Sequence, residues 1–184
     1  MKKRIQLLLI SIFILIITAC SYPTMNEAIP YKVNQIIHTE KMEEISIVLY
    51  DTIAEIEEFT DQTKPVLGVA FLKGDQEDGW DNVGPNGWKH KDNDQLTIYK
   101  EHFKDYDKEG NIIADISIIY GEIHNPEIKK IETLAIGETD HYNEAKIIEK
   151  DKKRYYLTIG EKSSIKALSA NGDILYQEDW VIEE

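Results

Sequence analysis

Along residues 111–120, Ile112, Ala114, Ile116, Ile118 and Tyr120 fall at every second position. That period belongs to an extended strand with one covered face; wound into a helix, the same side chains would point in all directions. Comparable short runs recur along the chain, separated by turn signals. Residues 45–50 form an aliphatic, largely β-branched run of the length of a buried strand, and residues 66–73 follow Pro65 and end at Gly74. Residues 96–103 lead across 104–110 into the alternating run. Residues 128–136, after Asn125-Pro126, alternate less regularly. Residues 145–148 and 155–159 flank Asp151-Lys152-Lys153, a further hairpin signal.

Asn171-Gly172, between residues 165–170 and 173–177, is the sharpest local signal. An Asn-Gly pair is expected to supply the positive φ angles of a tight hairpin turn, which would pair Leu168 with Leu175 and Ala167 with Tyr176. Ile165, Ile174 and Tyr176 then share one side and Leu168 and Leu175 the other, so both faces are candidates for burial. Residues 52–59 break the pattern: Thr52 and Glu55 have capping-box spacing, and Ile53, Ile56 and Phe59 recur every three residues. One short helix is expected there. Roughly eight short strands with frequent turns predict a mainly β chain folded as an antiparallel β-sandwich, with an immunoglobulin-like order among the arrangements that fit. The single helix leaves an α+β arrangement as the alternative.

The first residues carry a different message. Lys2, Lys3 and Arg4 precede an uncharged stretch, residues 5–17, dominated by Ile and Leu, and then come Ile17-Thr18-Ala19-Cys20. This stretch resembles the bacterial lipobox, in which the cysteine thiol receives a diacylglyceryl group and a dedicated peptidase cuts just before it. The resemblance implies a small residue at the cut (Ala19), a modest one before it (Thr18), an aliphatic at Ile17 and the sulfur of Cys20. The mostly apolar run 5–20 is shorter than the ~20 residues of a spanning helix. An ordinary secretory signal needs no cysteine at its cleavage site. Residues 1–19 are therefore expected to be a signal peptide and Cys20 the lipid-modified anchor, where two acyl chains hold stably and a single chain would not. Residues 20–31, with Pro23, Asn26 and Pro30, read as a membrane tether; residues 21–31, fully extended, reach at most ~35 Å. Residues 32–184 form one β-rich domain.

Charge narrows the partners. Of 21 Lys+Arg, removing Lys2, Lys3 and Arg4 leaves 18 against 34 Asp+Glu, so the processed chain would carry −16. A surface that negative repels phosphate backbones and anionic headgroups, which argues against nucleic acid; it leaves cations, cationic peptides or basic protein surfaces as partners, and it is accounted for first by solvation of an exposed domain. Cys20 is the sole cysteine, so the domain has no thiol for a disulfide, a zinc site or nucleophilic catalysis.

Candidate sites are few. Asp105, Asp107 and Glu109, with Gly110 and Ile112 following, share the first positions of an EF-hand calcium loop. The twelfth position is Ile116 where a bidentate Glu is required, so a polar hairpin loop explains the same residues. Gly79-Trp80 and Gly87-Trp88 lie within a polar, glycine-rich stretch, residues 74–95. Trp80 and Trp88 would either stack on a sugar or peptide ligand or pin the loop to the domain. His38, His90, His102, His124 and His141 show no metal-ligand spacing, and HExxH, a nucleophile elbow, a phosphate loop and a dinucleotide fingerprint are absent from the sequence. The motifs thus indicate no catalytic residue, metal or cofactor.

The lipobox, residues 120–123 (Tyr-Gly-Glu-Ile) leading to 128–131 (Ile-Lys-Lys-Ile), and the closing residues 168–176 together resemble the small uncharacterised lipoproteins of low-GC Gram-positive bacteria. That resemblance implies an extracytoplasmic, lipid-anchored, non-catalytic domain whose partner is an envelope protein, peptide or glycan. It supplies no catalytic residues to carry over. Two alternatives stand beside it. One is a cell-envelope enzyme acting on wall sugars through two carboxylates roughly 5–10 Å apart. The other is a cation-binding module.

Overall fold

The computed structural model describes residues 21–53, 65–85 and 90–180. Among the described residues the chain is mainly β, with three antiparallel sheets and one short helix, in keeping with the expected sandwich. The first sheet is formed by β1 (Val33–Met42), β2 (Ile45–Ile53), β3 (Pro65–Asp75) and β4 (Gly79–Asn82), in that order. Two later sheets use β5 (His90–Asp92), β6 (Thr97–Tyr106), β7 (Ile112–Ile123), β8 (Lys130–Ala135), β9 (Tyr142–Glu144), β10 (Lys146–Lys150), β11 (Lys153–Ile159), β12 (Lys162–Leu168) and β13 (Ile174–Asp179). The second sheet runs β10-β11-β7-β6-β5 and the third β13-β12-β8-β9. The helix α1 (Met25–Ala28) is capped by Thr24, whose hydroxyl accepts from the Glu27 amide.

The second sheet is the middle layer. Alternation along β7 sends Ile116, Ile118 and Tyr120 toward the first sheet, where they meet Leu49, Val69 and Phe71. Ile119 and Ile123 point the other way, into a second core with Ile131, Ile165 and Ala167 of the third sheet. Stacked Phe71 and Phe103 rings, 4.9 Å apart, cross the first interface. The Thr133 and Thr158 hydroxyls meet at 3.3 Å between the second and third sheets. Of the five alternating residues, Ile116, Ile118 and Tyr120 are buried, whereas Ile112 lies beyond the covering sheet and is exposed.

Two strand glycines make room for aromatic rings. Tyr50 stands directly across from Gly68, and a Cβ there would come within 2.4 Å of its ring. Tyr156 stands across from Gly121, where a Cβ would come within 1.7 Å of the Thr97 carbonyl oxygen, which accepts from the Tyr156 hydroxyl at 2.8 Å. Each ring fills the space a neighbouring side chain would have taken.

The segment expected to be an extended tether is instead packed against the first sheet. Tyr22 exchanges both backbone hydrogen bonds with Trp80, at 2.7 and 2.8 Å. Ala28 and Ile29 are buried with Val48, Tyr50, Ala70, Leu72 and Trp80 on the outer face of that sheet. Residues 21–32 thus form a strap crossing the sheet from β4 to β1, and the Thr52 hydroxyl donates to the Lys32 carbonyl at its far end. Strands β2 and β3, covered on both faces, bury six consecutive residues each, which is why residues 45–50 are apolar on both faces apart from Ser46.

Other expectations are corrected in detail. Ala167 pairs with Tyr176 as expected, but Leu168 pairs with Ile174 rather than Leu175, because a bulge intervenes. Gly172 alone takes a left-handed φ, of 86°, and its amide donates to the Ser169 carbonyl, so the loop is longer than a two-residue Asn-Gly turn. The core face carries Ile165, Ala167 and Tyr176, and Ile174 is exposed. Asp151 and Lys152 do adopt the paired positive φ angles, without a glycine. Of the expected helix at residues 52–59, Thr52 and Ile53 complete β2 and the remainder lies outside the described residues.

Removing the Trp80 indole by Trp80→Ala should lower stability by about 3–5 kcal/mol, read from urea denaturation, since the strap loses its main contact. Alkali should also unfold the protein. Burial pushes Tyr99 and Tyr155 up to about 12 from the ordinary 10.0, and Tyr120 and Tyr156 well above it. Groups with raised folded values stabilise the fold fully below the ordinary value, and this stability is lost as pH rises toward the folded one. Phenolate absorbance should therefore appear together with loss of β-sheet circular dichroism, rather than before it.

Candidate functional site

The residues singled out in the sequence do not converge. Trp80, 8 % exposed, belongs to the strap core. Trp88 lies outside the described residues, as do Ile17, Thr18, Ala19 and Cys20. Asp105 forms an ion pair with Lys73 of β3. Asp107 holds the β6–β7 hairpin, accepting from the Glu109 and Asn111 amides and from the Asn111 side chain, at 2.8–2.9 Å. Glu109 sits exposed in that loop. Asp105 is thus tied to the first sheet and Asp107 to its own loop, and no group of three or more His, Cys, Asp or Glu with metal-site geometry is found among the described residues. The polar-hairpin reading accounts for this loop.

One hydroxyl, imidazole and carboxylate do meet. The His124 ring lies 2.8 Å from the Thr97 hydroxyl and 3.2 Å from Asp92, but both contacts are to Nε2. A nucleophile-activating set needs the acid on the opposite ring nitrogen from the hydroxyl. Thr97 is buried besides, and this network ties His124 to the β5–β6 edge.

A groove of about 590 Å³ opens at one end of the first two sheets. Register explains its walls. The β1–β2 turn delivers Met42, Glu43, Glu44 and Ile45; Lys73 lies directly across from Ile45; and the β6–β7 hairpin overhangs the first sheet to supply Asp105, Ala114 and Ile116. Met42, Ile45, Ala114 and Ile116 give it apolar surface, and Glu43, Glu44 and Asp105 set three carboxylates against Lys73; the Asp115 carboxylate, out of phase with Ala114 and Ile116, pairs with His102 and Lys104 on the opposite face of the second sheet. Beside the groove stand Ile113, 51 % exposed, Ile112 and Tyr106, both 53 % exposed. Its size falls within the range of ligand sites.

The hydrogen bond from Lys73 holds Asp105 below the usual carboxylate range, and on the opposite face of the same hairpin His102, 2.6 Å from Asp115, does the same there with help from Lys104. The carboxyls that burial does push up, Asp51 and Glu101, do not line the groove. On the other side of the second sheet, the Lys100 ammonium sits 3.3 Å over the Trp180 ring, and burial lowers its pKa to about 8. Glu178 accepts from Trp180, Lys91 and Tyr176 beside it. This cluster joins the edges of the second and third sheets.

Sequence reasoning singled out Asp105 at this groove but missed Met42, Glu43, Glu44 and Lys73. The signal available was Glu43-Glu44 between two apolar strands, which reads as a simple turn until the β6–β7 hairpin is seen to overhang it. No protein-family model matches the chain, and no curated protein or solved structure shows significant similarity to it.

Substituting Lys73→Met should raise the Asp105 carboxyl toward its ordinary range, followed by NMR titration of the side chain. A lowered folded value contributes stability above the ordinary range that is lost as pH falls. Acid sensitivity should accordingly be weaker in the variant than in the unmodified protein.

Proposed function

We propose that the chain is a membrane-anchored extracytoplasmic lipoprotein, held through lipid on Cys20, whose β domain is a non-catalytic binding module for an envelope partner. The observation that carries the anchor is the sequence Ile17-Thr18-Ala19-Cys20 after a basic start and an uncharged aliphatic run. The module reading is supported by the groove, whose apolar floor and acidic rim offer both contact area and charge. Glu43 and Glu44 on the β1–β2 turn offer carboxylates to a cation-bearing partner, while Asp105 is already paired with Lys73. The strongly acidic composition favours the same partner chemistry and disfavours nucleic acid.

The decisive experiment is Cys20→Ala expressed in a bacterial host with metabolic palmitate labelling. The unmodified protein should take up label, fractionate with membranes and migrate as the processed form. The variant should take up none and accumulate at precursor size. Equal size and equal membrane retention of the two forms would overturn the reading.

A further inference from the structure

The strap fixes where the groove stands relative to the anchor. Ser21 follows Cys20 directly, and its hydroxyl donates to the Asp78 carbonyl at 2.9 Å, at the tip of the β3–β4 hairpin. Tyr22 is then locked to Trp80 by two backbone hydrogen bonds. The eleven residues that could have served as a spacer are folded back over the first sheet, so the lipid attachment point lies one residue from the domain surface.

The β3–β4 tip and the groove occupy the same end of the sandwich. Asp75 pairs with Gly79 at the tip, while Lys73, two residues back, lines the groove and pairs with Asp81. The β1–β2 turn and the β6–β7 hairpin close the same end from the other side. Two strand spacings and two residues separate Ser21 from the groove, about 15 Å. The Asn171-Gly172 loop and Ile174 lie at the opposite end, beyond Leu168 and Lys130.

We infer that the groove faces the bilayer surface and receives a basic, apolar-anchored juxtamembrane segment of an integral membrane protein. The inference rests on the lipid-anchor reading and deepens it by naming the occupant. Charge selects a protein segment over the lipid itself. Glu43, Glu44 and Asp105 line the groove against Lys73, and Asp75, Glu77 and Asp78 at the β3–β4 tip with Asp107 and Glu109 at the β6–β7 hairpin outnumber Lys41, Lys104 and Lys108 at the same end, an excess that anionic headgroups repel and Lys or Arg side chains complement. Met42, Ala114 and Ile116 within the groove, with Ile112, Ile113 and Tyr106 at its lip, give apolar side chains of such a segment a surface to cover. A domain held without a spacer meets segments at the membrane surface first, and its anchor raises their effective concentration.

Two measurements on the full-length, lipidated protein test this. Fluorophores are placed at I113C or, at the opposite end, I174C, in vesicles of phosphatidylcholine and phosphatidylglycerol containing a nitroxide-headgroup lipid. Quenching should be several-fold stronger at position 113 than at 174; equal quenching, or the reverse order, would overturn the orientation. In living cells, a photoreactive phenylalanine analogue replacing Ile113 should form adducts that map to a Lys- or Arg-containing stretch adjoining a membrane span. The double substitution E43K/E44K should lower their yield by about tenfold while leaving the melting temperature unchanged. Adducts confined to phospholipid, adducts to a soluble protein, or a yield insensitive to E43K/E44K would overturn the assignment of the occupant. Failure of the anchor reading is separately visible: the protein then carries no palmitate and leaves the membrane fraction, and both conclusions fall. If it stays lipidated while quenching or adducts fail, only the present inference falls.

Discussion

Burial of the second sheet on both faces is the constraint on which the architecture depends. Its middle strand, β7, supplies Ile116, Ile118 and Tyr120 to one core and Ile119 and Ile123 to the other, while hydrogen bonding to β6 and β11 on its two edges. Each core would lose a wall if β7 shifted by one residue, because every side chain would change layer. The cross-strand pair of Gly121 and Tyr156 pins that register, since no other residue lets the Thr97 carbonyl approach so closely.

The same logic of two covered faces extends outward to the first sheet, where a strap replaces a fourth layer. Ala28, Ile29 and Trp80 shield Val48, Tyr50, Ala70 and Leu72 from water. A segment whose proline-rich sequence suggests a spacer becomes part of the domain because sheet apolar surface would otherwise remain exposed. Stability and position are thereby linked: contacts that protect β2 and β3 also dictate how near the domain stands to whatever precedes Ser21.

The groove arises where the layers cease to match in length. The hairpin of β6 and β7 runs beyond the first sheet, leaving Ile112 and Ile113 uncovered and opening a space above the β1–β2 turn. The ion pair of Lys73 with Asp105 ties the overhanging hairpin to the first sheet, and that of His102 with Asp115 joins its two strands. Acidic composition alone would describe a solvated surface. Gathered at one end around an apolar floor, the same charges become a means of selection.

The sequence by itself determined the strand character, most of the strand positions and the composition of the cores. Alternation at residues 112–120 and the largely aliphatic run at 45–50 are properties of the backbone period and of burial, both local and readable. It did not reveal β1, β4, β5 or β9, whose residues are mostly polar or half-exposed and are held by their partners. Nor could it reveal that Leu168 meets Ile174, because a bulge is a compromise between two strands and leaves little mark on either. The role of Trp80, the docking of residues 21–32 and the assembly of Glu43, Glu44, Lys73 and Asp105 into one groove were decided by tertiary structure alone. Those relations join residues distant in the chain, and they exist only once three sheets have stacked and exposed apolar surface has found its cover.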